Sequence, residues 1–321
     1  MSLTIIGLLV TYNRPTEVLS SLRAIRDQDR PLDHLIVIDN STSDSSAESL
    51  ARSEWTPRSL PLEWIRNNRN LGPAGGFHIG MNVALQRYRP HDDLWLMFFD
   101  DDDPPPSSSL IKELEKSIFN SNADAVGVVG SVLDRQNGRL ERPDADVQDL
   151  YLDVDQIGSG RFPAYRASAI AHVGPVRKDL FFGREDLDLG LRLKAQGYKV
   201  CIDRDLFKKY APRLGKDSRA PTPLSVPRRG DFWSRTTVNH LRILRTYIGL
   251  ATTVRYGVSL LCVDLARLVL KVFTRERALA WGNLLSSVNA VSIGLRQGSL
   301  RDDGPVGPWA TTTDRKSTYG Q

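Results

Sequence analysis

Short apolar runs rich in β-branched residues recur along the first 200 residues, and each leads through a polar segment into an amphipathic stretch. The first four runs are Leu3–Thr11, His34–Asp39, Leu62–Arg66 and Leu94–Phe99. Runs of this length without polar alternation are typical of strands covered on both faces. Because helical patterns separate them, the sequence predicts an α/β fold with a mostly parallel sheet flanked by helices.

The remaining elements follow from the same patterns. A short helix is predicted near Ser46–Arg52, and Asp134–Ile157 is predicted to be a loop or an irregular strand pair. Further helices are predicted over Ser109–Phe119, Arg166–Val173 and Glu185–Gln196, and strands over Ala125–Val132 and Tyr198–Ile202. The Pro-, Arg- and Lys-rich segment 204–230 predicts a linker. The sequence therefore divides into a domain at 1–203, that linker, a helical region at 231–300 and a tail at 301–321.

Composition limits the class of protein. With 40% hydrophobic and 25% charged residues the chain is an ordinary globular protein, which excludes a disordered, collagen-like or polytopic membrane chain. Two cysteines, Cys201 and Cys262, exclude a disulfide scaffold and favour a reducing compartment. The apolar N-terminus has no preceding positive charge, so it predicts a buried strand rather than a signal peptide.

The net charge of +5 hides an asymmetry. Residues 1–200 carry a net charge of −6, and the remainder carries +11. A strongly basic region predicts a polyanionic or anionic membrane partner.

Polar residues follow each of the first four strands. These are Tyr12–Arg14, Asp39, the stretch Asn70–Gly76 and four successive aspartates, Asp100–Asp103. In open α/β sheets ligands bind beyond the carboxyl ends of the strands. We therefore expect these segments, which are far apart in sequence, to meet at one site.

The four aspartates point to a cation. Carboxylates this close raise one another's pKa unless a cation neutralises them. Oxygen ligands suit Mg²⁺ or Mn²⁺, which also bind substrate phosphates. The alternative is a solvated acidic turn.

Two further segments have both a structural and a functional interpretation. The glycines of Asn70–Gly76 let backbone amides approach a phosphate or sugar, but they also suit a helix-entry turn. Glu185 and Asp186 open a helix, where acidic residues serve capping and the helix dipole. Beside a cleft, one of them would also suit the role of a general base.

Five motifs in this order and spacing, VTYNRP, IVIDN, NLGPAGGF, FFDDDD and REDLDLGLRL, resemble a family 2 glycosyltransferase of the GT-A fold. The resemblance covers roughly residues 3–203. It is greatest to the bacterial branch of galactofuranosyl- and rhamnosyltransferases that build cell-surface polysaccharides. It implies an inverting enzyme that transfers a sugar from a nucleotide-diphospho-sugar, with UDP-galactofuranose favoured and dTDP-rhamnose next.

The resemblance also implies roles for individual residues. Asp186 would be the catalytic base, with Glu185 beside the acceptor. Asp100 and Asp102 would hold Mn²⁺ or Mg²⁺, although which pair of the four aspartates does so stays open. The donor-binding residues would be Thr11, Tyr12, Arg14, Asp39, Asn70, Gly72, Asp100 and Asp101.

One departure from the family pattern concerns the metal. Such enzymes often supply a metal-binding histidine some two dozen residues after the base, but Lys208, Lys209 and Tyr210 occupy that region here. Either aspartates, phosphate and water hold the metal alone, or a lysine partly replaces it as a cationic clamp.

The basic helical region predicts helices lying on an anionic bilayer, so that the enzyme would be cytoplasmic and peripheral on the inner face of the cell membrane. A lipid-linked or glycan acceptor fits that location. Packing on the catalytic domain or homo-oligomer formation is the alternative, and nucleic acid is disfavoured because no recognised motif occurs. Two alternatives to a glycosyltransferase remain. One is a non-catalytic sugar- or lipid-binding assembly subunit. The other is a Rossmann-type oxidoreductase, which the TYNRP segment in the first βα turn disfavours.

Overall fold

The structure is a computed structural model that describes residues 3–42, 48, 60–158, 161–213, 230–272, 276–298 and 300. The short helix predicted near Ser46–Arg52, apart from Glu48, lies outside the described residues, as do most of the predicted linker and the tail.

Eleven strands and nine helices occur in the described part of the chain, and their order alternates as the sequence predicts. The strands are β1 (Thr4–Thr11), β2 (His34–Asp39), β3 (Leu62–Arg66), β4 (Leu94–Asp100), β5 (Ala125–Gly127), β6 (Gly130–Leu133), β7 (Leu140–Glu141), β8 (Tyr151–Asp153), β9 (Gln156–Ile157), β10 (Ala164–Arg166) and β11 (Val200–Asp203). The helices are α1 (Pro15–Arg26), α2 (Gly72–Tyr88), α3 (Leu110–Ser121), α4 (Ala167–Val173), α5 (Glu185–Ala195), α6 (Arg204–Tyr210), α7 (Asp231–Tyr247), α8 (Leu250–Lys271) and α9 (Arg277–Gln297), with a 3₁₀ turn at Lys178–Leu180.

The main sheet has eight strands in the order β3-β2-β1-β4-β10-β5-β11-β8. The first four are parallel, as are β5 and β11, whereas β10 runs antiparallel to both of its neighbours and β8 runs antiparallel to β11. Helices cover both faces, which confirms the predicted α/β class. A small second sheet has the strand order β7-β6-β9. Its strand β6 contains the end of the strand predicted over Ala125–Val132, and β7 and β9 lie in the region predicted to be irregular.

Strand β1 lies at the centre of the parallel half and is buried on both faces. Ile6 and Leu8 pack on the side of α2, and Ile5 and Leu9 pack on the side of α1 and α3. This explains why its sequence is continuously apolar rather than alternating.

The register of the parallel strands brings their carboxyl ends together. Thr11 at the end of β1 is opposite Asp39 on β2, and Val10 is opposite Asp100 on β4. The predicted meeting of these segments at one edge is therefore a direct result of strand pairing.

The linker predicted from residue 204 is wrong at its start, because helix α6 occupies Arg204–Tyr210. The Asp203 carboxylate caps this helix by accepting hydrogen bonds from the backbone amides of Asp205 (2.9 Å) and Leu206 (3.1 Å). Tyr210 is fully buried, and its hydroxyl donates to Glu113 of α3 at 2.9 Å. An N-cap aspartate and one buried aromatic outweigh the basic composition that suggests a linker.

The C-terminal region consists of helices α7, α8 and α9, as its periodicity predicts. Helix α7 packs on the α/β domain, where the Tyr247 hydroxyl donates to buried Asp188 of α5 at 2.7 Å. The span Arg277–Gln297 is long and apolar enough to cross a membrane by length and composition alone.

A second contact between α7 and the domain is made by His240, which is 1% exposed. Its Nε2 lies 2.6 Å from the carbonyl oxygen of Gly138, in the turn between β6 and β7, and its ring lies 4.6 Å from that of Tyr256. Burial, with a smaller effect of the Arg184 charge, lowers the pKa of His240 from 6.5 to about 3. The imidazole is therefore neutral in the folded protein at neutral pH.

We expect His240 to make the fold less stable in acid. Between pH 6.5 and about 3 the unfolded chain binds a proton at this residue that the folded chain does not, so its contribution is full above pH 6.5 and falls as the pH is lowered. The slope is at most about 1.4 kcal/mol per pH unit. Urea unfolding of the wild type and His240→Gln from pH 7 to 4 measures it as the difference between the two proteins. Parallel stability curves would contradict the assignment.

Candidate active site

A cavity of about 380 Å³ opens at the carboxyl ends of the central parallel strands, and it gathers most of the predicted site residues. The predicted residues in its wall are Thr11, Tyr12, Arg14, Asn70, Gly72, Asp100, Asp101, Asp102 and Glu185. Seven residues not predicted from sequence complete the wall: Val10, Asn40, Pro73, Phe181, Phe182, Gly183 and Phe232.

Asp101 organises the end of the cavity beside β1. Its buried carboxylate accepts hydrogen bonds from the Thr11 hydroxyl (2.8 Å), the Tyr12 backbone amide (3.4 Å) and the Arg14 guanidinium (3.1 Å). Burial raises the pKa of Asp101, and the contacts with Thr11 and Arg14 oppose that rise. Because its oxygens bind these neighbours, Asp101 holds the segment after β1 in place.

Asp39 lies next to the cavity, outside the wall. It is buried at the end of β2, where its carboxylate accepts from the Ser41 backbone amide at 2.8 Å and from Trp64 Nε1 at 3.3 Å. The neighbouring Asn40 lines the cavity instead. Its side-chain amide donates to the carbonyl oxygen of Gly72 at 2.9 Å, which ties the end of β2 to the start of α2.

Three of the four aspartates form a cluster of carboxylates. Oxygens of Asp100, Asp102 and Asp103 all lie within 4.8 Å of one another. A set of carboxylate oxygens with room for water fits the ligand preference of Mg²⁺ or Mn²⁺. Asp102 also forms an ion pair with Arg14, so one positive charge already adjoins the cluster.

The Asn70–Gly76 stretch serves both purposes that the sequence suggests, since it starts helix α2 and lines the cavity. The Asn70 side-chain oxygen accepts from the Gly72 backbone amide at 2.9 Å. Gly72 has φ +67°, and a Cβ there would lie 2.1 Å from the carbonyl oxygen of Phe181. Only glycine fits this close crossing of two chain segments.

Glu185 and Asp186 differ in environment although they are adjacent. Burial, reinforced by the negative charges of Asp186 and Asp100, raises the pKa of Glu185 to about 8, and its Oε2 is buried without a hydrogen-bond partner. Asp186 accepts from Gln156 Nε2 at 2.6 Å and from the Leu187 backbone amide at 2.8 Å. Glu185 lies in the cavity wall, whereas Asp186 lies beside the wall near Gly158.

Two residues in the region where the family pattern has a histidine, Lys209 and Tyr210, contact α3. Lys209 pairs with Glu113 at 2.6 Å, and Tyr210 donates to the same carboxylate, so both face α3. In the described part of the wall the cationic side chain is Arg14.

Sequence motifs point to some of the cavity residues that were not predicted, but not to all of them. Asn40 belongs to the IVIDN motif and Pro73 to the NLGPAGGF motif, and Gly183 directly precedes the REDLDLGLRL motif, so their neighbours pointed to them. Phe232 comes from α7, in the region assigned to another domain, and no local pattern marks it. Only the packing of α7 on the catalytic domain brings it to the cavity.

Comparison with known proteins agrees with this geometry. Residues 8–172, half of the chain, match the model of the family described as "Glycosyl transferase family 2". The chain belongs to glycosyl transferase family 2. It is therefore a glycosyltransferase, and the family membership displaces the oxidoreductase alternative.

Two named relatives are similar to this chain. It is 27% identical over 236 residues to the galactofuranosyltransferase GlfT1 of Mycobacterium tuberculosis strain H37Rv, covering 69% of this chain and 74% of the relative. It is 39% identical over 79 residues to GlfT1 of Mycolicibacterium smegmatis, covering 25% and 24%.

A solved structure supports the GT-A fold. The mannosyltransferase PcManGT from Pyrobaculum calidifontis, in complex with GDP-Man and Mn²⁺, superposes with a TM-score of 0.51. The match has 17% sequence identity and covers 94% of this chain and 77% of that one.

Gly72→Ala tests the crossing of α2 with the Phe181 segment. A left-handed residue with a Cβ costs about 1–2 kcal/mol by itself. We expect Gly72→Ala to lower the free energy of unfolding by more than this amount, because the methyl group would also collide with the Phe181 carbonyl group. Gly197→Ala is the matched control, since Gly197 has φ +82° and no heavy atom within 4 Å of a Cβ. Equal losses for the two variants in urea unfolding would show that the crossing imposes no steric limit.

Proposed function

We propose that this family 2 member is an inverting glycosyltransferase that moves a sugar from a nucleotide-diphospho-sugar to a hydroxyl of a lipid-linked or polysaccharide acceptor in cell-wall or surface glycan synthesis. UDP-galactofuranose is the favoured donor and dTDP-rhamnose the next. The single observation that carries the proposal is one cavity whose wall joins the polar residues after β1, Asp100 and Asp102 of the carboxylate cluster after β4, and Glu185 at the start of α5, with Asp186 next to Glu185 in the chain. The named galactofuranosyltransferase relatives support the choice of sugar.

The donor would lie across the ends of the parallel strands. Thr11, Tyr12 and Arg14 would contact the nucleotide, with Asp39 behind them, and Asn70 and Gly72 would lie near the sugar. Asp100 and Asp102, joined by Asp103, would hold a divalent cation, Mn²⁺ or Mg²⁺. When bound, such a cation neutralises the charge that develops on the leaving diphosphate.

The two acidic residues of the pair would divide the work on the acceptor. A carboxyl group with a pKa near 8 is protonated at neutral pH, so Glu185 can donate a hydrogen bond that orients the acceptor. Asp186 accepts a hydrogen bond at each of its two carboxylate oxygens. It would take the proton from the attacking hydroxyl as that oxygen forms the new bond to the anomeric carbon and the nucleotide diphosphate leaves.

Asp186→Asn should abolish transfer by removing the base. We expect the rate with UDP-galactofuranose, Mn²⁺ and a panel of alkyl glycoside acceptors to fall by about 10²–10⁴-fold, with unchanged affinity for UDP in calorimetry. Asp205→Asn is the matched control, because Asp205 is an exposed aspartate in the first turn of α6.

Other outcomes of this assay decide between the alternatives. Full activity of Asp186→Asn would refute the base assignment. Wild-type protein that binds a donor in the presence of Mn²⁺ but never turns it over would favour the non-catalytic assembly subunit. Turnover of dTDP-rhamnose alone would replace the favoured sugar and leave the reaction class intact.

We further propose that the C-terminal helices place the enzyme on an anionic membrane, cytoplasmic and peripheral on the inner face of the cell membrane. Helix α8 has the reverse of the usual surface pattern, since its buried residues are Thr253, Gly257 and Asp264. Five of its exposed apolar residues recur at helical spacing along one face, namely Leu250, Val254, Val258, Leu265 and Val269, while Val263 and Leu270 are exposed on another side of the helix. A helix surrounded by water normally turns its apolar stripe inward.

Helix α9 repeats the arrangement. Asn283 and Ser287 are buried, whereas Trp281, Leu285 and Val288 are exposed at i, i+4 and i+7. An exposed apolar surface of this extent marks an interaction site. The net charge of +11 beyond residue 200 favours anionic lipid as the occupant, because basic residues beside an apolar face are attracted to acidic headgroups.

A pair of substitutions on α8 tests the membrane proposal. Val258 and Val269 are 53% and 64% exposed, so Val258→Glu with Val269→Glu should leave the fold intact. We expect this variant to lose flotation with phosphatidylglycerol vesicles, because two charges would have to enter the interface. Val147→Glu, at an exposed valine of the catalytic domain, is the matched control.

Three results would contradict the membrane proposal. The α8 variant would float as well as the wild type, or the wild type would bind uncharged phosphatidylcholine vesicles equally well. Alternatively, sedimentation would show a wild-type dimer that the α8 variant breaks, which would assign the same surface to a second copy of the chain.

A further inference from the structure

The segment Leu180–Arg184 joins the 3₁₀ turn to α5 and forms one side of the cavity. Phe181, Phe182 and Gly183 lie in the wall, and the next residue in the wall is Glu185. Glu185 directly follows the segment in the chain and is the first residue of α5. The conformation of this segment therefore sets where the Glu185 carboxyl group lies.

The backbone of the segment is not in a conformation that the chain would adopt unaided. Phe181, Gly183 and Arg184 have φ values of +57°, +82° and +75°. Phe181, with φ +57° and ψ −62°, has the conformation of the rare and strained form of γ-turn, and Arg184, with φ +75°, has a left-handed conformation that non-glycine residues seldom adopt. Strained backbone of this kind persists only where its surroundings hold it.

Asn239 of α7 supplies that hold. It is 5% exposed, and its side-chain amide nitrogen lies within hydrogen-bond distance of three carbonyl oxygens of the segment. It donates to Leu180 at 2.8 Å, to Phe182 at 3.1 Å and to Gly183 at 3.0 Å. The carbonyl oxygen of Phe181, between them, accepts instead from the Ala74 backbone amide of α2 at 3.2 Å. The segment is thus fixed between two helices.

The same face of α7 makes three more contacts with the segment. The Phe232 ring lies 4.7 Å from that of Phe182, and the Arg235 guanidinium lies 4.9 Å from the Phe181 ring. Thr236 packs on Gly183 so closely that a Cβ there would lie 2.3 Å from its hydroxyl oxygen. Positions 232, 235, 236 and 239 share one helical face.

We propose that Asn239 is a positioning residue for sugar transfer: from the C-terminal region it fixes the strained Phe181–Arg184 backbone and, through it, the Glu185 carboxyl group and the cavity wall. The inference rests on the proposed function for its catalytic consequence, while the clamp itself is a property of the unliganded protein. Asn239 acts without touching the reacting atoms, and helix α7 is a working part of the active site.

Hydrogen exchange and kinetics on the full chain test this role. Asn239→Leu keeps the side chain's approximate size but removes its donors. We expect amide exchange in 180–185 and at Ala74 to rise by about tenfold or more, as a local opening becomes easier, with β1 and β4 unchanged. Thr246→Val is the matched control, since Thr246 is a hydrogen-bonding residue of α7 that contacts Arg242 and Leu300.

The kinetic expectation is a split between turnover and nucleotide affinity. Small displacements of a catalytic group cost about 100-fold in rate, so kcat of Asn239→Leu should fall by that order. The Kd and the stoichiometry for UDP with Mn²⁺ should stay at the wild-type values, because Asp101, and not Asn239, holds the Thr11–Arg14 segment in place. General destabilisation would instead lower stoichiometry and turnover together.

Wild-type exchange in 180–185 for Asn239→Leu, or unchanged kcat in an active enzyme, would overturn the proposal. So would equal losses of UDP stoichiometry and turnover. If Asn239→Leu does not fold, Phe232→Ala replaces it, since Phe232 is 59% exposed and its loss should loosen the same segment; unchanged exchange there would also overturn the clamp. A wild type inactive with every donor would refute the proposed function, and the exchange result would still decide the clamp.

Discussion

Strand β1 is hydrogen-bonded along both edges and covered on both faces, and the polar groups at the ends of β1, β2 and β4 depend on it for their positions. Its parallel pairing with β2 and β4 sets Thr11 opposite Asp39 and Val10 opposite Asp100. A slip of one residue would turn its apolar side chains to the wrong layers, so the register is strongly specified. Once it is fixed, the polar segments that follow each strand have no other place to meet.

Sequence reasoning could assign those site residues whose positions follow from a local pattern. Residues at strand ends, such as Thr11 and Asp100, could be assigned because apolar runs show where each strand stops. Asn239 and Phe232 could not be assigned in this way, because their roles come from packing between segments more than 45 residues apart in the sequence. The early end assigned to the domain has a similar cause: the burial of Tyr210 against α3 is a tertiary contact that the composition of 204–230 conceals.

The acidic first part and the basic last part of the chain meet physically at α7. Asp188 of α5 is fully buried and is compensated by Arg177 and Arg192 of its own domain and by the Tyr247 hydroxyl of α7. A buried carboxylate is tolerated only when its neighbours satisfy it. Removing the C-terminal helices would therefore disturb both the charge balance of α5 and the wall of the cavity, which makes a strict division into a catalytic domain and an accessory region unsuitable.

The seam between α8 and α9 has a consequence for how these helices recognise each other. The Asp264 carboxylate is 1% exposed, accepts from the Ser287 hydroxyl and pairs with Arg267. Apolar sides of a helix are nearly interchangeable as contact surfaces, so they cannot decide which side faces the partner. A single buried polar group can decide which side of a helix faces its partner, because only one rotation of each helix about its axis allows the hydrogen bond to form. One buried polar residue fixes the alignment of a coiled coil in the same way. The buried polar contact therefore fixes how α8 and α9 align, and their exposed face can contact either water or lipid without a change in that alignment.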